Sequence, residues 1–128
     1  MGSQQMLLII VGVLMVGLMI AIGITMFGDN ASASNRDAIA NDLAAQASRA
    51  QVFQKRPKCI GGGGGSFQDF RLSSGSTANT NGAYSVSSAT GTVVTIEGIG
   101  HETGFDQTNP VKVAITVAAD TISVAELN

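Results

Sequence analysis

From Met6 to Phe27 the chain runs for twenty-two residues with no charge and a single hydroxyl residue, Thr25, among aliphatic side chains and glycines. Such a stretch cannot be the surface helix of a small soluble fold, because it offers no polar face to water. As a helix it rises about 33 Å, close to the hydrocarbon thickness of a bilayer. No lysine or arginine precedes Arg36, so the segment lacks the basic n-region of a secretory signal. Ala31-Ser32-Ala33 has the small-residue pattern of a cleavage site. Gly12, Gly17, Gly23 and Gly28 recur at spacings of five or six and form no GxxxG pair, so no tight two-helix dimer is signalled.

Beyond the apolar run, Ala31 to Gln54 is rich in Ala, Asn, Gln, Asp and Arg and lacks proline. Ile39, Leu43, Ala47, Ala50 and Phe53 recur at spacings of three and four, one apolar stripe on an otherwise polar helix. Lys55 and Arg56 suit a helix C-terminus, and Pro57 ends it. Gly28-Asp29-Asn30 offers a break, but the pattern is read as one continuous or slightly bent helix from about residue 3 to 55, roughly 80 Å long. That gives a helical part over 1–56, with residues 1–28 apolar and 29–56 amphipathic.

Residues 57–65 form a glycine-rich connector, with Gly61 to Gly65 consecutive. No lysine follows as a P-loop requires, and Ser66 stands where GxGxxG needs its last glycine. The run is either a flexible linker or a fixed backbone passage, and the second reading is preferred. Residues 66–128 then show short apolar segments and turn residues. Ser66–Leu72, Ala83–Ser88, Thr92–Ile99, Val111–Val117 and Thr121–Leu127 are the candidate strands, and Gly100–Pro110 reads as a polar loop. Val111–Val117 alternates most clearly. The expectation is an α+β chain: a long N-terminal helix packed through its stripe on an antiparallel sheet of about four strands.

Composition removes several function classes. Residues 1–58 carry net +2 and residues 59–128 net −4, giving −2 in all, so a nucleic-acid partner resting on a basic surface is not expected. The lone cysteine, Cys59, allows neither an internal disulfide nor a cysteine-based zinc site. It follows a basic patch, Lys55-Arg56-Pro57-Lys58, but is read as a small buried hydrophobe. His101, Glu102 and Asp106 lie within seven residues, yet no second histidine or cysteine completes a metal set. Glu102, Asp106 and Asn109 lack EF-hand spacing. No catalytic residue, metal or cofactor is expected. Asn30-Ala31-Ser32 matches a glycosylation sequon, and Ser73–Thr95 is rich in hydroxyl residues.

The apolar N-terminal helix, its amphipathic continuation and a small C-terminal sheet together resemble a type IV pilin. The likeness is strongest in Gly2-Ser3-Gln4-Gln5-Met6-Leu7-Leu8-Ile9-Ile10-Val11-Gly12-Val13, similar to the start of bacterial and archaeal pilin-like proteins with class III signal peptides. In that family a prepilin peptidase removes a short basic leader and the apolar stretch is kept, which implies a chain numbered from its mature start. Gln5 stands where many bacterial members carry a glutamate. The helix proline and the paired cysteines common in the family are also missing here.

The resemblance implies a structural subunit of a surface filament. Its partners would be copies of itself, the peptidase and the inner-membrane assembly machinery, with the membrane holding the unassembled subunit. It implies a filament core built from Met1, Gln4, Gln5, Met6, Leu7, Leu8, Ile9, Ile10, Val11, Gly12, Leu14, Gly17, Leu18, Ile20, Ile24 and Phe27. Two alternatives remain open: a monomeric membrane-anchored binding module, and a type II secretion pseudopilin.

Overall fold

A computed structural model describes residues 2–128 of the chain; Met1 lies outside the described residues. One helix, α1, spans Gly2–Lys55 without interruption at Gly28–Asn30. Four strands follow: β1 Gly82–Ala89, β2 Val93–Thr103, β3 Pro110–Ala118 and β4 Ile122–Glu126. They form a meander in the order β1-β2-β3-β4, each pair antiparallel. The fold is therefore α+β, with the long helix packed on a four-stranded antiparallel sheet. By compactness the chain divides into two units, residues 1–31 and residues 32–128.

The second unit holds the core. Ile39, Leu43, Ala47 and Ala50 of α1 are all fully buried, and Phe53 packs partly covered at the end of the same stripe. Opposite them lie Val94 and Ile96 of β2 and Val111, Val113, Ile115 and Val117 of β3, also fully buried. Period-four burial on the helix meets period-two burial on the strands, the arrangement that lets each element hide one face and keep the other in water.

Two glycines set how closely the helix approaches. Gly98 pairs with Tyr84 across β1–β2, and Gly100 pairs with Gly82. A Cβ at Gly98 would lie 2.5 Å from Ile39 Cγ2 and 3.1 Å from the Tyr84 ring. One at Gly100 would strike the Asn35 side chain and sit 2.7 Å from Ile39 Cδ1. These bare backbone positions form the trough in which Ile39 rests. Gly100→Ala is expected to cost about 1–3 kcal/mol, because backbone and helix must separate to admit the methyl group. Thermal unfolding of the full chain in detergent would show it as a lower Tm, with Gly75→Ala, where an added Cβ meets nothing within 4 Å, as the control.

The glycine run is a fixed passage that caps α1. The last carbonyls of a helix lack intrahelical partners. Here Gly63 N–H donates to Phe53 O at 2.8 Å, Gly65 to Gln54 O at 2.7 Å, and Gly64 to Arg56 O at 2.9 Å. Gly61, Gly64 and Gly65 have φ of 81°, 57° and 93°, and a Cβ at Gly63 would fall against the Ser66 carbonyl and 2.9 Å from the Phe53 ring. Side chains are excluded by backbone conformation at these three positions and by space at the other two, Gly62 and Gly63.

Several expectations need correction. Ser66–Leu72 is not a strand: Phe70 N–H turns back to Phe67 O at 2.9 Å, and this turn puts both rings inside. The three-residue spacing of Phe67 and Phe70 marks a turn, which strand alternation would not produce. β2 runs on to Thr103, so His101 and Glu102, expected in a loop, end a strand; both are exposed. Cys59 is exposed, because the turn Lys58–Ile60 lies on the outside and buries none of its residues.

Candidate functional site

The apolar part of α1 is the largest unusual surface of the chain. From Gly2 to Ile22 every residue is exposed, and the large side chains from Met6 to Phe27 retain 48–79% of their surface. Gln4 and Gln5 are exposed at its start, and Leu7, Leu8, Ile9, Ile10, Leu14, Leu18, Ile20 and Ile24 follow on all sides of the helix. Thr25 Oγ1 hides its hydroxyl by donating to Ile22 O at 2.8 Å, the usual way such a residue is tolerated in an apolar helix. The helix is long and apolar enough to cross a membrane. Asn30 is exposed on α1, within the helix, whereas a sequon acceptor is commonly found in a surface loop.

The second unit holds three polar arrangements, two that tie the helix to the loops and sheet and one that ties the Asp106 loop to the C-terminus. The first is built on Asp42. Its Oδ2 accepts from Tyr84 OH at 2.5 Å and from Asn79 Nδ2 and Asn81 Nδ2 at 2.8 Å each. Burial pushes the Asp42 carboxyl up, but the donors Asn81, Tyr84 and Asn79 together outweigh it and hold the group below the usual carboxylate range. Burial and the same carboxylate push the Tyr84 phenol up, so it stays protonated as a donor.

The sign of the pH dependence follows. Because the folded pKa of Asp42 is depressed, its contribution is fully present above the unfolded value near 3.8 and is lost as pH falls through the folded value. Tm is expected to fall on acidification below about pH 4. Asp42→Asn, which replaces an acceptor-only group with one that also carries donors, should lower Tm at neutral pH and flatten that acid limb.

The second arrangement centres on Arg36, 6% exposed. Its guanidinium lies 3.7 Å from the centroid of the Phe105 ring, and Nη2 donates to Asn128 O at 3.3 Å. Glu126 Oε2 is 3.8 Å from Nε, an ion pair too long for a hydrogen bond, and Nε has no other partner. Stacking on the ring and the nearby carboxylate offset the desolvation of the charge.

The third is the loop around Asp106. Its carboxylate accepts from the Asn109 and Thr108 backbone N–H groups at 2.9 and 3.0 Å, from Asn109 Nδ2 at 2.6 Å and from Asn128 Nδ2 at 3.1 Å. These bonds, with the backbone of Asn109 first, hold the group far below the usual range. Among the described residues no group of three or more His, Cys, Asp or Glu side chains is placed to hold a metal.

Sequence reasoning singled out Glu102, Asp106 and Asn109 as oxygen-bearing residues near one loop but missed Asp42, Tyr84 and Arg36. The signal was weak: only the i, i+6 placement of Arg36 and Asp42 on the rim of the apolar stripe hinted that both face the sheet. A surface hollow of about 590 Å³ lies between Ile99, Lys112, Leu127 and the Asp106–Pro110 loop. No protein family, curated protein or solved structure matches this chain.

Proposed function

We propose that this chain is a structural subunit of a surface filament of the type IV pilus kind. The observation that carries the reading is the exposed, uncharged apolar stretch Met6–Phe27, which shares one helix with an amphipathic segment seated on a four-stranded sheet. Before assembly the stretch sits in the inner membrane. In the filament it is buried against the same stretch of other copies, and the sheet-bearing parts stay in water. The prepilin peptidase and the assembly machinery act on the chain at the membrane, and no catalytic residue of its own is needed.

Moving an apolar helix from lipid to a bundle of like helices exchanges one apolar surrounding for another, so the hydrophobic effect contributes little to the transfer. Close packing in the bundle and contacts between the sheet-bearing parts must therefore provide the holding energy. Gln5 brings no charge into the bundle, which avoids the cost of a buried unpaired carboxylate.

Negative-stain electron microscopy of material sheared from the cell surface, with mass spectrometry of the same fraction, tests this. Filaments made mainly of this chain support it. A chain that stays in the membrane fraction as a detergent-bound monomer overturns it. The hollow beside Lys112 and Leu127 would then favour the second reading, an anchored binding module.

A further inference from the structure

The helix does not cover the whole sheet. Across β3–β4, Val117 pairs with Ile122, Ile115 with Val124 and Val113 with Glu126, so these β4 residues share the helix-facing side with a buried row of β3. Yet every residue of β4 is exposed; Ile122 keeps 43% of its surface and Val124 53%. Arg36 reaches Glu126 at one end of this side, and Gln51 Nε2 donates to Ala118 O at 3.2 Å at the other. The helix positions that fall between them on the same side and keep some exposure are Ala40 and Ala44. The result is an apolar strip with small residues on the helix side and Ile122 and Val124 on the strand. Its ends are net acidic: Asp37 and Glu126 stand at one, with Arg36 paired to Glu126, and Asp120 in the β3–β4 turn at the other.

The complementary surface is on the same chain. From Leu43 to Lys58 there is no acidic residue, while Arg49, Lys55, Arg56 and Lys58 are all exposed. Val52, 55% exposed, stands between Arg49 and Arg56 along a hollow of about 340 Å³ that also takes in Ser48 and Phe53. One surface is apolar with acidic ends and the other apolar with basic ends.

The geometry points to a head-to-tail contact in which the Arg49–Val52–Arg56 surface of one copy docks on the β4 strip of the next. This rests on the filament reading and supplies the contact between sheet-bearing parts that it requires. The order of charges fixes the direction. With parallel helices and Val52 set against Val124, Arg49 meets the Asp37–Glu126 end and Arg56 meets Asp120. Val124 lies level with about residue 43 of its own helix, so neighbours are staggered by roughly nine residues, about 14 Å along the helix axis. Pairing each surface with itself would set like charges together. The contact is therefore heterologous, and a heterologous contact that does not close gives an open helical polymer.

The test uses the full chain in its host with Cys59→Ser, so that only introduced thiols react. Val52→Cys combined with Val124→Cys should give, on mild oxidation of sheared filaments, a ladder of dimers, trimers and longer species. Either cysteine alone should give none. In the same double-cysteine chain, Arg56→Asp or Asp120→Lys should each reduce the ladder roughly ten-fold through like-charge contact, and the two together should restore it. Filaments that form without a ladder overturn the contact and leave the filament reading standing. Dimers from Val124→Cys alone overturn it in favour of β4 pairing with its own copy, and failure of the charge swap to restore the ladder overturns the assigned register. If neither filaments nor a ladder appear, both readings fall.

Discussion

Leu14→Arg is expected to abolish filaments while leaving the chain in the membrane. Near the middle of a spanning helix an arginine costs about 2.5–3.5 kcal/mol on the insertion scale, and each surrounding Leu, Ile or Val returns about 0.3–0.6. The stretch from Met6 to Phe27 has enough of these to absorb one charge. A single arginine can also snorkel toward the lipid headgroups. A bundle of identical helices gives no such escape. Every copy would bring its guanidinium into an apolar interior among other copies' guanidinium groups, unpaired and uncompensated, which is the costliest way to bury a charge.

Adding Leu18→Arg doubles the insertion cost to about 5–7 kcal/mol, and membrane retention should then fail as well. The measurement is fractionation with electron microscopy for wild type, the single and the double variant. Tm in detergent serves as the control, because neither residue touches the core of the second unit. Filaments persisting with Leu14→Arg would mean that the apolar stretch is not their interior.

The parts of the fold legible in the sequence are those where one periodicity runs unbroken. The stripe Ile39, Leu43, Ala47, Ala50 and Phe53 pointed to the buried helix face, and Val111 to Val117 pointed to a strand whose residues 111, 113, 115 and 117 are all buried. What was not legible depends on partners far apart in the chain. Nothing near Gly100 says that a strand continues past it; the pairing of Thr103 with Pro110 of β3 marks its far end. Asp42 looks like an ordinary solvated charge until Asn79, Asn81 and Tyr84, about forty residues on, converge on it.

The exposure of β4 was equally hidden. Ile122 and Val124 alternate as core residues would, and only the width of one helix against four strands leaves them open. For the candidate assembly surfaces, composition alone reveals an uncharged helical stretch and two parts of opposite net charge. The placement of Val52 and Val124, on which the docking contact depends, needed the register of β3 with β4.

Phe67→Ala is expected to be the most damaging single truncation in the second unit. Phe67 is the largest fully buried side chain, and it belongs to neither helix nor strand. It closes the core just beyond the glycine run, where Phe53 and Phe70 meet edge to face at 5.6 Å between ring centroids. Removing a buried phenylalanine ring costs about 3–5 kcal/mol, the lost transfer energy plus the cavity left behind. A domain of this size has about 5–15 kcal/mol in all, so the loss takes a large share of its stability.

The cavity is also badly placed to collapse. The backbone before Phe67 is tied by the glycine bonds to Phe53, Gln54 and Arg56, and after it the turn to Phe70 is closed by a hydrogen bond. Phe67→Leu keeps most of the volume and should cost well under half as much. Chemical denaturation of the full chain in detergent, followed by Tyr84 fluorescence, reads both variants. If Phe67→Ala unfolds at the wild-type midpoint, the connector and its first aromatic are not part of the core, and the glycine run is a tether after all.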